Sequence, residues 1–385
     1  MPGDPFRPAG SLFPTTAIRQ KEHSEGPIEG RWAFNDMVYL MNSLLVKVNP
    51  TTPAGATNTR RWTFKPDNFG PNNLQTYTVE QGGAVAAERV VYALVQSLTM
   101  RATEEEASLT GTIIGKKTQE GITITGSPTD IPAKVVGPTK IAVGVGTDMT
   151  PDNEVQTITL GGPSAGTWLI NFDGHTTAAI AFDATSAAVQ SALTALPNVG
   201  VGGVTVTGSA GGPYTVTFGG LWLGFNAPAI TLTTTGLTGG TPSVAQTTPG
   251  TITKLLRLHE FELAFEGRNT MGRTLDPSEE SFSYTVERPP DATAQLVLQH
   301  DSVSQAFMDD MRAVTTKMLT VNAVGDTIEG NFPHRLQIRF PFLFLDTERA
   351  DRNDVWAATY NLRPIYDGTF AGAIEVVIDC PLTAL

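Results

Sequence analysis

Apolar and polar residues alternate through both ends of the 385-residue chain. Tyr77 and Val79 alternate with Thr76, Thr78 and Glu80, residues 89–100 are rich in Val, Leu and Tyr, and Leu109, Gly111 and Ile113 continue beyond an acidic corner at Glu104-Glu105-Glu106. Farther on, Phe261, Leu263 and Phe265 face one way and Glu260, Glu262 and Glu266 the other. Leu336, Ile338, Phe340, Phe342 and Phe344 alternate with Arg335, Gln337 and Arg339. A period of two is the mark of a half-buried β-strand. A last hairpin is expected to pair Trp356, Ala358, Tyr360 and Leu362 with Ile374, Val376 and Ile378 across Asp367-Gly368. Two stretches change to helical spacing. Phe34, Met37, Tyr39, Leu40, Met41, Leu44 and Leu45 form one, with Asn35 or Asp36 placed to cap it. Val303, Phe307, Met311 and Val314 form the other, starting at Asp301 or Ser302, with Ser302 and Gln305 at capping-box spacing.

The pattern changes near residue 154. From 155 to 250 there is no Lys or Arg, the carboxylates are Asp173 and Asp183 alone, and Thr and Gly dominate. Strands are expected over 167–172 and 176–182 around an Asp173-Gly174 turn, then over 204–207, 214–218 and 229–233. Thr185 or Ser186 caps a short helix whose Val189, Ala192, Leu193 and Leu196 share a face, and Pro197-Asn198 stops it. The chain therefore reads as mainly β: a sandwich or half-barrel with one or two packed helices, split into 31–153 and 251–385, with a small sandwich-like β domain and one helix inserted at 154–250. Residues 1–30, punctuated by Pro2, Pro5, Pro8 and Pro14, read as an extended arm. Phe6, Leu12 and Phe13 leave two readings of that arm, a disordered terminus or a segment that orders on a neighbouring subunit.

Composition narrows the function. Acidic residues outnumber basic ones, 38 to 26, for a formal charge of -12, yet only 17% of residues are charged, against about 25% in an ordinary soluble domain. The mean hydropathy is -0.06 and no apolar run approaches the roughly 20 residues of a membrane-spanning helix. The first residues contain no apolar core of a secretory signal. Cys380 is the single cysteine, so no intramolecular disulfide is expected. Net acidity argues against wrapping nucleic acid, but suits a surface past which DNA must slide.

Chemistry is sparse. His23, His175, His259, His300 and His334 are scattered, and no pair has metal-binding spacing. Gly162-Pro163-Ser164-Ala165-Gly166 matches the G-x-S-x-G nucleophile elbow, but a strand follows where that chemistry needs a helix, so a hairpin loop is the better reading. Gly111 and Gly115-Lys116-Lys117 lack the spacing and the Ser/Thr of a phosphate loop. Glu104–Glu106 reads as a solvated turn in preference to an acid/base pair. No enzyme, cofactor or metal is expected.

The outer segments resemble the major tail tube protein of long, non-contractile-tailed bacteriophages, of the kind common among phages of actinobacteria. The residues that carry the likeness are Gly30-Arg31-Trp32-Ala33-Phe34-Asn35-Asp36-Met37-Val38-Tyr39-Leu40, the paired stretches 92–100 and 109–116, Leu263-Ala264-Phe265-Glu266-Gly267-Arg268, and 358–367. The middle module resembles an immunoglobulin-like domain that recurs in phage structural proteins, through 184–199 and Gly212-Pro213-Tyr214-Thr215-Val216-Thr217-Phe218. The resemblance implies a virion tail protein, assembled in the bacterial host cytoplasm. Six copies form a ring, rings stack into a tube, and DNA passes through without specific binding. It further implies tape measure, tail terminator and baseplate or distal tail proteins as partners, and no insertion into a membrane. Phe6, Leu12, Phe13, Glu104, Glu105 and Glu106 are the candidate ring-contact residues. The alternative is a receptor- or glycan-binding decoration protein, with Trp168, Trp222 and Tyr214 available to stack on sugars.

Overall fold

The computed structural model describes residues 21–83, 85–126, 130–288, 291–352 and 355–385. Phe6, Leu12 and Phe13 therefore lie outside the described residues. The fold is mainly β with three helices among the described residues. Ser24–Arg31, the described end of the expected arm, is a strand paired antiparallel with Ala107–Gly115.

One antiparallel sheet of 14 strands carries most of the outer segments. Its path runs Ser24–Arg31, Ala107–Gly115, Ala87–Thr103, Leu258–Glu266, Asp291–Gln299, Val355–Pro364, Phe332–Arg352, Lys317–Glu329, Ile141–Gly146 and Ile252–Lys254. The alternating side chains explain it: Phe261, Leu263, Leu336, Ile338, Phe340 and Phe342 are fully buried on one face, each contributing about 1.5–3 kcal/mol by leaving water. Helix α1 (Phe34–Leu44) lies on that face and packs against Ala87–Thr103, Arg60–Phe64 and Glu375–Cys380, burying Met37, Val38, Met41 and Leu44.

Neither expected cap closes α1. Its N-cap is Ala33, without a side-chain bond. Asn35 is instead buried, donating its amide to the Pro132 carbonyl at 2.8 Å, and the first helical N–H, of Phe34, donates to Lys134 O at 3.0 Å. A loop thus supplies what a capping side chain normally would. Helix α3 (Ser302–Arg312) begins one residue earlier in its chemistry than the Ser302/Gln305 pair suggests. Asp301 Oδ1 accepts from Ser304 N at 3.0 Å and Ser304 Oγ accepts from Asp301 N at 2.9 Å, a reciprocal box. Phe307 packs against Phe344 and Tyr360 with ring centroids 5.3 and 5.7 Å away. Val314 falls off the expected stripe: it is exposed at φ 53°, beyond the helix end. The side chain of Val303 lies outside the described residues.

The expected final hairpin does not form. Lys317–Glu329 borders one side of the first half of Phe332–Arg352. Both Val355–Pro364 and Glu375–Cys380 line the other side, opposite 342–352 and 335–339 respectively. Both run antiparallel to the long strand and hence in the same direction, as two pieces of one interrupted strand. The loop between them is closed locally by Asp367 and Gly372, each amide donating to the other's carbonyl.

Residues 155–248 build two further sheets. Val204–Gly208, Tyr214–Phe218, Val155–Thr159 and Ser243–Thr248 form one; the other gathers short strands around Ala165–Phe172. Asp173 and Gly174 both take positive φ, 46° and 77°, as an Asp-Gly turn requires. Helix α2 (Ser186–Thr194) is capped by Thr185, whose hydroxyl accepts from Ala188 N at 3.3 Å, and it buries Val189 and Leu193. Chain entry and exit are neighbours: Gly146 stands opposite Ile252 in an antiparallel pair. The module is thus the content of a β-hairpin. Its core is continuous with the main sheet, since Phe225 packs in one cluster with Ala142, Ile252 and Met318. A Cβ on Gly144 would come within 2.9 Å of the Phe225 ring, so the small residue permits this approach. Asn322 of the main sheet donates to Leu223 O at 2.9 Å, and Lys254 Nζ sits 4.4 Å from the Trp222 ring centre.

Candidate assembly surfaces

The candidates for chemistry are engaged structurally. Ser164 donates through both N and Oγ to Thr238 O, at 2.9 and 3.2 Å, and the strand Ala165–Phe172 follows at once. His300 Nδ1 lies 3.0 Å from Ser304 Oγ, and His259 Nδ1 is paired with Glu104. His334 is buried, and burial holds its pKa below the ordinary 6.5, against a smaller opposing effect of its bond to Asp326. Its Nδ1 is 2.8 Å from the Asp326 carbonyl oxygen, which can only accept, so Nδ1 carries the proton. No group of three metal-ligating side chains occurs among the described residues. Lys116 and Lys117 face Glu279 and Glu280, at 4.0 and 2.7 Å. Trp168, Tyr214 and Trp222 are core residues of the module, 0%, 0% and 3% exposed, with Trp168 and Tyr214 stacked at 5.9 Å. None of them offers a face to a sugar.

Glu104, Glu105 and Glu106 occupy the tight turn joining Ala87–Thr103 to Ala107–Gly115, and all three are exposed. Thr103 holds the turn: its N–H donates to Glu106 O at 2.8 Å and its hydroxyl accepts from the Glu105 and Glu106 amides at 3.3 and 3.2 Å. The carboxylates diverge, Glu104 to His259 and Glu106 to within 3.8 Å of Arg31.

Beside this turn lies an open edge. Among the described residues, Ser24–Arg31 pairs only with Ala107–Gly115 and so presents one row of backbone groups outward. Pro27, Glu25 and Glu29 sit in it, the residue types that discourage indiscriminate pairing. Ile252–Lys254 ends the sheet at the far side.

On the face below the module runs a charge ladder. Asp379 is held by Arg61 at 2.8 Å and Arg335 at 3.0 Å. Glu375 is held by Arg339 and, at 3.7 Å, by Lys65. Burial lowers the Arg335 pKa, with the Asp379 charge opposing. Next to it, Gln337 donates to Asn322 Oδ1 at 3.0 Å, and Asn322 reaches the module.

Arg268, 2% exposed, escaped the reading of residue types. Its Nε donates to Leu44 O at 2.7 Å and its Nη2 to Leu45 O at 3.2 Å, so a cation closes the C-terminal end of α1. Glu287 is its counter-ion and also accepts twice from Asn72, at 3.0 and 2.8 Å. Burial raises the Glu287 pKa, but these hydrogen bonds and the Arg268 charge outweigh it and leave the carboxyl below its ordinary value. The only sequence signal was Gly267-Arg268 at a strand end.

No family model matches the chain. Over 81 residues it is 47% identical to the tail sheath protein of Mycobacterium phage Bxz1, a stretch that makes up 21% of this chain. The likeness is to a phage tail component. It spans 13% of the length of that curated relative.

Proposed function

We propose that this chain is a phage tail structural protein whose large sheet polymerises into the tail tube, as stacked hexameric rings through which DNA is ejected. The observation that carries the reading is the open, acidic, 14-stranded sheet whose edge strand Ser24–Arg31 is, among the described residues, paired on one side only. Strand-edge pairing between copies would satisfy those backbone groups, and a head-to-tail contact that closes gives a ring. The Glu104–Glu106 turn lies beside that edge and would meet the neighbouring copy. Of the net -12, -10 lies outside 155–250, so the sheet-bearing part would repel phosphate and let DNA slide.

The tail sheath likeness supports the tail assignment. We read the matched block as the inserted module, because a block that recurs inside a much larger protein must close its own core. The strands before Gly146 and after Ile252 interleave in one sheet, so neither segment closes alone, whereas 155–248 makes two sheets around one core. The module would then decorate the outer surface, with tape measure, terminator and baseplate proteins meeting only the tube. Negative-stain microscopy of the purified protein tests this. Hollow tubes or six-fold rings are expected; discrete monomers or trimers would overturn it, and a reconstruction with 155–250 on the lumen side would overturn the outward placement.

A further inference from the structure

An apolar groove of about 620 Å³ lies at the base of the ribbon formed by Asn269–Gly272 and Tyr284–Glu287, beside its Asn269/Glu287 pair. Phe265, Ala292, Pro364 and Ile374 contribute to its lining, and Phe69 and Tyr366 stand at its mouth. Those two rings meet edge to face at 5.1 Å and are 83% and 46% exposed, so a pair of packed aromatics is left facing water. The loop that presents Phe69 is fixed from below. Asn72 Oδ1 accepts from Asp67 N at 2.6 Å, and the Asn72 amide donates to Glu287 at 2.8 Å. The mouth is therefore a held surface.

The chain itself contains a segment of matching chemistry. Pro2-Gly3-Asp4-Pro5-Phe6-Arg7-Pro8 places prolines at intervals of three. A polyproline II helix has three residues per turn, so all three prolines share one face. Such faces dock in aromatic-lined grooves with little loss of entropy, because the helix is already formed. Asp67 and Asp291 border the groove together with Arg288 and Arg363, Asp291 lying 3.7 Å from Arg363, so Arg7 and Asp4 of the segment both meet opposite charge at its rim. The arm is long enough: 20 residues precede Lys21, which is tied to Asp276 O at 2.8 Å, and extended chain spans at most ~3.3–3.6 Å per residue. Fully extended from that anchor, 20 residues would span up to ~70 Å, a length that would let them cross to a neighbouring copy.

We infer that the segment Pro2–Pro8 of one copy docks in the Phe69/Tyr366 groove of a neighbouring copy. This rests on the polymeric reading above and gives the polymer a second contact besides its strand edges.

Cysteine pairs test it, because Cys380 is fully buried and burial pushes its thiol up to about 11. Full-length chains carrying Gly3→Cys are mixed with chains carrying Asn68→Cys under mild oxidation. A disulfide-linked dimer of the two is expected, reduced at least about tenfold when Phe69→Ala and Tyr366→Ala are added, as for loss of aromatic anchors. Replacing Pro2, Pro5 and Pro8 by Ala should reduce it similarly. Both rings are substantially exposed, so their truncation leaves the fold intact. No dimer, or a dimer indifferent to these changes, overturns the docking site. Cross-linking only within the double variant, as a monomer, overturns the exchange between copies. Microscopy of wild-type protein keeps the two ideas separate: tubes without cross-link sink the groove alone, and cross-link without tubes or rings sinks the tube alone.

Discussion

The main sheet and the inserted module satisfy their polar groups with different chemistry. In the sheet, charges cross strands: Arg61 and Arg335 flank Asp379, Arg101 holds Glu260 at 2.6 Å, and Arg268 seals α1 against Glu287. In the module neutral amides do the same job. Gln156 donates to Pro228 O at 3.1 Å and accepts from Ile230 N at 2.8 Å, Gln190 accepts from Val206 N at 2.9 Å, and Asn198 donates to Phe172 O at 3.2 Å. Its one buried carboxylate, Glu154, accepts from Ala227 N at 2.7 Å and from Gln156. Charged pairs respond to pH and salt while amide bonds respond to neither. The two regions share a core at Phe225 yet should be separable by solution conditions.

The largest expected effect is excision. Replacing 147–251 by a two-residue turn should leave the main sheet folded, because Gly146 and Ile252 are already hairpin neighbours. A cooperative urea transition at a lower midpoint is expected, since Met318 and Ala142 lose their cover; a non-cooperative transition would show that the module is part of one folding unit. Arg268→Ala should come next, destabilising the main sheet by about 3–5 kcal/mol because it strands Glu287 and two helix carbonyls. Equilibrium unfolding with a probe on each region should show the module transition unmoved; a shared shift would break the contrast. Glu154→Ala should do the converse, lowering the module by about 1–3 kcal/mol by unpairing Ala227 N–H and one of the two Gln156 amide hydrogens, the other staying on Pro228 O.

Acid should separate the regions more gently. The folded pKa of His334 is depressed, so below 6.5 the unfolded chain binds the proton first, and stability is lost as pH falls from there toward the folded value. Glu287 adds a second loss: its contribution is present above its ordinary 4.5 and drains as pH falls through its lower folded value. Urea midpoints of the main-sheet probe from pH 8 to pH 4 should therefore fall, and His334→Gln should flatten the upper limb; an unchanged limb rejects the assignment. The smallest effect is at the surface. Lys117→Ala breaks a pair whose sides are 35% and 64% exposed, with an expected change within about 1 kcal/mol that salt abolishes.

Much of this was readable beforehand, for definite reasons. Phe261, Leu263 and Phe265, or Leu336 to Phe344, announce a buried face because period two needs no partner to be recognised. The module announced itself by lacking charge, and Tyr214–Phe218 appears where alternation placed it. What failed depended on remote partners. Val355–Pro364 and Glu375–Cys380 alternate like a hairpin, but both prefer the long strand 332–352, which no local pattern reveals. Asn35 looked like a cap until the 132–134 loop claimed it. Arg268 resembled any surface arginine, because its acceptors at Leu44 and Leu45 lie more than 220 positions away. Of the candidate contact residues, Glu104, Glu105 and Glu106 form the exposed turn between two paired strands, and Phe6, Leu12 and Phe13 lie outside the described residues.

Gly146 facing Ile252 has a practical side. Any domain whose two ends lie a hairpin's width apart fits the same port without rerouting the scaffold. If the scaffold repeats along a filament, each repeat displays one such passenger at fixed spacing. The port then makes the particle a display rod whose cargo can be exchanged independently of its shaft.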